Sequence, residues 1–242
     1  MGRPSWMGIL GVAAAGLLLA GCQATAEQGS GAAVQMARDS AAVAPRLTVA
    51  QRRVQQTQPH IYLIRGLANV FSRGMDELAA KLAQRGYVAT VHEHGEGSAI
   101  AAAILRDQRA SGGRAQAVII GHSLGANVVA DIVNALAAQG GSVALAVAFD
   151  PTVERQIAGG TRRFVNFYQA NNGWGMAVTA SSRFRGRLDN IDLSRSGELS
   201  HFNIEKDPRL HAQVIGWVTQ AIGPGRHRPA RVAAGAGQVA AR

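Results

Sequence analysis

Gly121-His122-Ser123-Leu124-Gly125 sets one serine between two glycines, each two residues away. A serine hydroxyl becomes a useful nucleophile when its Oγ stands clear of the backbone and a neighbouring base takes its proton. The Gly-x-Ser-x-Gly spacing achieves the first condition at a strained turn from strand to helix, where the elements pass too closely for a Cβ at either glycine. The flanks suit that turn. Val118, Ile119 and Ile120 form a β-branched apolar run fit for a strand covered on both faces. Residues 128–138 then carry helical apolar periodicity. At the start of that helix the Leu124 N–H would face an oxyanion forming beside Ser123.

The elements that must position this turn are legible on both sides of it. Strands are expected over 60–64, 87–91, 143–149 and 163–168, and helices over 75–82 (stopping near Gly86), 98–109 and 208–222. Leu210, Val214, Trp217, Val218 and Ala221 make the apolar face of the last helix. Such alternation predicts an α/β fold, a mostly parallel sheet with helices on both faces and a site at the carboxyl ends of the strands. Phe149 and Arg163 are too close in sequence for a crossover helix or a lid, so the expected molecule is compact, lidless and open at its site.

A serine nucleophile needs a base, and the base needs an acceptor that fixes its tautomer. Asp150 directly follows the 143–149 strand, on the sheet edge where Ser123 is expected, although an aspartate before Pro151 also serves simply to cap a turn. Asp189 and Asp192 are the alternative acids, both in a stretch that reads as a loop able to fold back.

With strand, turn, serine and helix in this order, residues 60–222 resemble the α/β-hydrolase superfamily, its lipases and esterases in particular. The resemblance implies the chain order serine, acid, histidine. It places the histidine in a loop before the final helix, where His201 stands in Leu199-Ser200-His201-Phe202-Asn203. His211 lies inside that helix and is expected to serve its surface, and the resemblance gives His122 a structural place beside the nucleophile. In many relatives the acid follows the next strand, which here ends in Asn171 and Asn172; an acid one strand earlier, as Asp-Pro, is similar to the pancreatic-type lipases. Arg65-Gly66-Leu67 occupies the place of the lipases' His-Gly-x, which implies Leu67 N–H as a second oxyanion-hole donor beside that of Leu124. Arg65 departs from the family's histidine and brings a guanidinium near the rim.

His92-Glu93-His94 puts two histidines on one face of a strand, a spacing compatible with zinc, but no third ligand is evident and the segment reads as a polar strand end. Neither a metal nor a cofactor is implied.

The ends read differently from the centre. Residues 1–21 have a thin positive start at Arg3 and an apolar stretch too short for a permanent span, which is the pattern of a secretory signal. Leu19-Ala20-Gly21-Cys22 resembles the lipobox of bacterial lipoproteins, which implies lipidation of Cys22 and a membrane-anchored place in the cell envelope, facing the periplasm on the outer membrane. Cys22 is the single cysteine, so no intramolecular disulfide forms. Residues 22–58 read as a flexible tether, 59–222 as the hydrolase domain and 223–242 as a disordered basic tail. The net charge of +10 sits largely in these ends: residues 59–222 carry 16 Lys and Arg against 13 Asp and Glu. No basic stripe falls on a folded element, which argues against nucleic acid as a partner. A basic tail beside a lipid anchor fits attraction to anionic lipid instead.

The residues therefore point to a serine hydrolase acting on small acyl esters or thioesters. The competing expectation is a hydrolase-fold lipoprotein that binds an envelope component or partner without catalysis.

Overall fold

The computed structural model describes residues 58–67 and 72–225. The expected signal peptide, Cys22 and almost all of the tether and the tail lie outside these residues. Six strands form one sheet in the order β2-β1-β3-β4-β6-β8: β1 (His60–Ile64), β2 (Val88–His92), β3 (Ala117–His122), β4 (Leu145–Phe149), β6 (Arg163–Tyr168) and β8 (Arg187–Asp192). Every neighbouring pair runs parallel. Two further short strands, β5 (Arg155–Ile157) and β7 (Val178–Ala180), pair in parallel beside it.

Strand alternation divides the core into two layers. Ile61, Leu63, Val118, Ile120, Leu145, Val147, Phe149, Val165 and Phe167 point to one face, which α1 (Arg73–Gln84) and α4 (Pro208–Ile222) cover. Tyr62, Ile64, Ile119, Ala146, Ala148 and Phe164 point to the other, under α2 (Gly97–Ala110) and α3 (Leu124–Ala138). Helices on both faces explain why the central strands are apolar throughout rather than alternating with polar residues. The expected α/β fold, a parallel sheet with helices on both faces, is the one observed.

The elements differ from expectation in instructive places. The helix after the serine begins at Leu124, four residues earlier than its apolar periodicity suggests, because its first turn is packed by small residues against the sheet. Asp189 and Asp192 do not lie in a loop. They belong to the edge strand β8, whose polar residues hide its strand character because its outer side faces water. The connection from β4 to β6 contains β5 and no helix. The first residues of the expected disordered tail are ordered: Tyr87 Oη donates to Gly223 O at 2.9 Å, and Gly225 lies so close to Arg85 O that a Cβ there would come within 2.1 Å. Among the described residues no helix is long and apolar enough to cross a membrane.

Candidate active site

The site assembles where the carboxyl ends of β3 and β4 meet the loops beyond β6 and β8. At Gly121 a Cβ would fall 2.3 Å from Gly125 O, and at Gly125 one would fall 2.3 Å from Ile64 O. Both glycines are thus demanded by close approach, as the spacing implies. The tight passage leaves Ser123 at φ 57 and ψ −120. Among the described residues, the non-glycine positions with positive φ are Ser123 and Asp150. Such backbone costs on the order of 1–3 kcal/mol per residue and persists only where surrounding packing holds it. Here hydrogen bonds hold it, with Ser123 N donating to Phe149 O at 2.9 Å and Asp150 N to Phe167 O at 2.7 Å.

His201 stands between those two side chains. Its Nδ1 lies 2.7 Å from Asp150 Oδ2 and its Nε2 lies 3.0 Å from Ser123 Oγ. A carboxylate only accepts, so Nδ1 carries the proton and Nε2 is left to accept from the serine hydroxyl. All three residues are buried. Trp174 stacks on the outer face of His201, with centroids 5.1 Å apart and planes at 21°, and Phe202 stands edge-on to it at 5.3 Å. Trp174 and Phe202 are exposed, so an apolar rim stands against the His201 ring, and Leu67 is exposed as well.

The alternative acids are elsewhere. Asp189 is held between Arg163 and Arg187, 2.8 and 2.7 Å from their Nε atoms. Asp192 accepts from Ser194 N at 2.9 Å and from the Ser194 hydroxyl. Neither bonds to His201.

Sequence reasoning missed the groups that hold Asp150. Its Oδ1 accepts from Gln169 N at 3.0 Å, and its Oδ2 accepts from Asn172 Nδ2 at 2.7 Å as well as from His201. Asn172 Oδ1 in turn accepts from Trp174 N and Gly175 N, each at 2.8 Å, so one amide shapes the loop that carries the tryptophan. The visible signal was the amide pair Asn171-Asn172 at the end of β6, read only as the lack of an acid there.

Gly66 borders Ser123: a Cβ on it would lie 3.0 Å from Ser123 Cβ and 3.2 Å from His122 O. Gly66 leads into Leu67, and the Leu124 N–H, as the first of α3, has no intrahelical partner. Arg65 pairs with Asp76 and, at 3.0 Å, with Glu93. Its guanidinium is thereby turned into a strut between α1 and the end of β2.

Three further histidines are committed to structure. His122 is buried and makes two hydrogen bonds, and burial pushes its pKa down to about 4. His211 is buried too, where a surface place was expected, because its Nε2 donates to Glu205 O at 2.6 Å and ties the start of α4 to the turn before it. His92 meets Thr90 Oγ1 at 2.8 Å and Glu96 at 2.9 Å. Among the described residues no group of three His, Cys, Asp or Glu side chains is arranged to hold a metal ion.

Among solved structures, the chain is similar to human thioesterase 2, at 7% identity over 68% of this chain and 96% of that one, with a TM-score of 0.43. It is similar to a protein assigned to the α/β hydrolase superfamily from Xanthomonas campestris pv. campestris, at 15% identity over 66% and 98%, with a TM-score of 0.37. It is also similar to an acetylxylan esterase, at 13% identity over 69% and 99%, with a TM-score of 0.44. No family model and no curated protein sequence matches the chain.

Proposed function

We propose that this protein is a serine hydrolase that cleaves carboxylic esters or thioesters through an acyl-enzyme. The observation that carries the reading is His201 bridging Ser123 Oγ and Asp150 Oδ2 at 3.0 and 2.7 Å. In the first half-reaction Ser123 Oγ bonds to the acyl carbon while His201 Nε2 takes its proton, and the carbonyl π electrons move onto oxygen. Leu67 and Leu124 N–H groups bind that oxyanion. The tetrahedral species collapses, the C–O or C–S bond breaks, and the leaving alkoxide or thiolate receives the proton from His201. Water then attacks the acyl-serine with His201 again as base, releasing the acid and restoring Ser123 Oγ–H. Asp150 holds the Nδ1–H tautomer throughout.

The reading extends to location. Leu-Ala-Gly-Cys supports a lipid anchor at Cys22 on the periplasmic face of a bacterial envelope, with the hydrolase domain carried on a tether.

A fluorophosphonate probe separates catalysis from a purely binding role. The wild-type protein is expected to label and to hydrolyse p-nitrophenyl esters, and Ser123→Ala to do neither while keeping its circular dichroism and melting temperature. Activity above a tenth of wild type in Ser123→Ala would move the nucleophile elsewhere. A folded wild type that never labels would favour the non-catalytic lipoprotein.

A further inference from the structure

Behind the triad lies a buried chain of hydrogen bonds that the reaction does not use. Gly66 N donates to Ser72 Oγ at 2.8 Å, Ser72 Oγ lies 2.9 Å from His122 Nδ1, and His122 Nε2 lies 2.9 Å from His201 O. Ser72 and His122 are each about 1% exposed. The two ends fix every proton between them. A backbone N–H can only donate, so Ser72 Oγ accepts from Gly66 and gives its own proton to His122 Nδ1. A backbone carbonyl can only accept, so His122 Nε2 carries the second proton. One neutral tautomer satisfies the chain, and protonation of Nδ1 would reverse the Ser72 bond. Burial, which disfavours the imidazolium, agrees with the neutral form.

The chain joins two places whose relative position matters in the transition state. Gly66 lies against Ser123 and leads into Leu67, the proposed oxyanion donor. His201 O belongs to the residue that supplies the base. We infer that His122 and Ser72 are positioning residues that lock the oxyanion-hole segment to the histidine loop, setting donor and base with one relay. This rests on the functional reading above. His122 sits inside the nucleophile turn itself, so serine, donor and base are referred to one rigid point at the end of β3. The relay explains a polar, hydrogen-bonding side chain at position 122, where an apolar one would fill the space and leave Ser72 Oγ–H and His201 O without partners.

The test compares Ser72→Ala, His122→Phe and the double variant with wild type in p-nitrophenyl ester hydrolysis, and in inhibition by an alkyl boronic acid, which forms a tetrahedral adduct on the serine. Misplacing catalytic groups by about 1 Å, or losing an oxyanion donor, costs about 10²-fold. Each single variant is expected to lose on the order of 10²-fold in kcat with KM within about twofold, and boronate affinity should fall with kcat/KM. Because the two residues act as one relay, the double variant should lose no more than either single one. Folded single variants that keep kcat within about threefold of wild type overturn the inference, as do losses that multiply in the double variant. Should His122→Phe fail to fold, Ser72→Ala, which removes one oxygen, carries the test alone. The ¹⁵N shifts of the His122 ring give a readout independent of activity: a neutral Nε2–H tautomer near pH 7 is expected, and an Nδ1–H tautomer or an imidazolium overturns the relay. If the wild type fails to label with fluorophosphonate, the functional reading fails, and the tautomer measurement still judges the chain of bonds.

Discussion

Asn172 donates to Asp150 Oδ2 at 2.7 Å, onto the same carboxylate oxygen that accepts from His201 at 2.7 Å. An amide at the end of β6 therefore serves an acid at the end of β4. With Gln169 N on the other oxygen, three N–H donors converge on one buried carboxylate, whose lone pairs suit that number. Gly175 completes the socket: a Cβ there would come 2.0 Å from Asp150 Oδ1, so the loop closes over the acid only with glycine at this place. The loop that grips the acid also carries Trp174 onto His201. Asp150, the ring face of His201 and the aromatic rim are thus shaped by residues 169–175 together.

Asp150→Asn should present the wrong group to the imidazole and favour the tautomer that cannot take the serine proton. Loss of a triad acid with geometry intact costs on the order of 10⁴ in turnover. Asp189→Asn and Asp192→Asn, which touch arginines, Ser194 and the Ala170 amide rather than His201, should leave kcat within about twofold. Steady-state kinetics of the three purified variants decide, and a large loss confined to Asp189 or Asp192 would shift the acid to β8.

Asn172→Ala should leave the triad atoms in place but remove one donor from the acid. Hydrogen bonds to charged groups are worth about 1.5–3 kcal/mol, which converts to a loss of about 10- to 100-fold in kcat if that energy is lost from the transition state. Asn172→Asp, which sets a second carboxylate against Asp150, should be worse than alanine. Equal activity in wild type and Asn172→Ala would make the amide a loop-shaping group only.

Much of this arrangement was readable in the sequence because it rests on local signals. Gly121 and Gly125 announce a close passage, and the β-branched run before them announces a covered strand. The place of Asp150 near Ser123 was readable because it ends a strand on the same sheet edge. Asn172 and Gln169 were not, since their partner lies about 20 residues away in sequence and loop amides have many ordinary uses. Strand β8 was hidden by its exposure: Arg187, Asp189 and Asp192 make a polar string whose pairing with β6 is visible only once the sheet is built. His211 misled for the opposite reason. Its helix shows an apolar face, but the histidine on its buried side is satisfied by a carbonyl from the preceding turn, a contact that no periodicity reports.

Cys22 carries the envelope proposal. Radiolabelled or alkyne-tagged fatty acid should enter the protein expressed in a bacterial host and vanish in Cys22→Ser, which should also move from the membrane fraction to the soluble one. A wild-type protein that is soluble and unlabelled removes the anchor while leaving the active-site reading untouched.

Glu205 should make the protein less stable as the pH rises through neutrality. Its side chain is fully buried, and neither oxygen makes a hydrogen bond; the nearest cationic group is Lys206 Nζ at 3.5 Å, while the neutral His122 ring lies 3.9 Å away and gives its Nε2–H to His201 O. Burial pushes its pKa up from 4.5 to about 7. Between those two values the folded state holds a proton that the unfolded chain has released. Folding stability is therefore full below about pH 4.5, falls as the pH rises to 7, and stays at the lower level above it. The span amounts to about 3 kcal/mol. Glu205→Gln keeps the shape without the charge and should flatten that slope. Urea unfolding of both proteins at pH 5 and pH 8 measures it, the wild type losing about 2.5 kcal/mol more than the variant across the interval. Parallel pH profiles would mean that Glu205 is already ionised at pH 5, and that Lys206 compensates its burial in full.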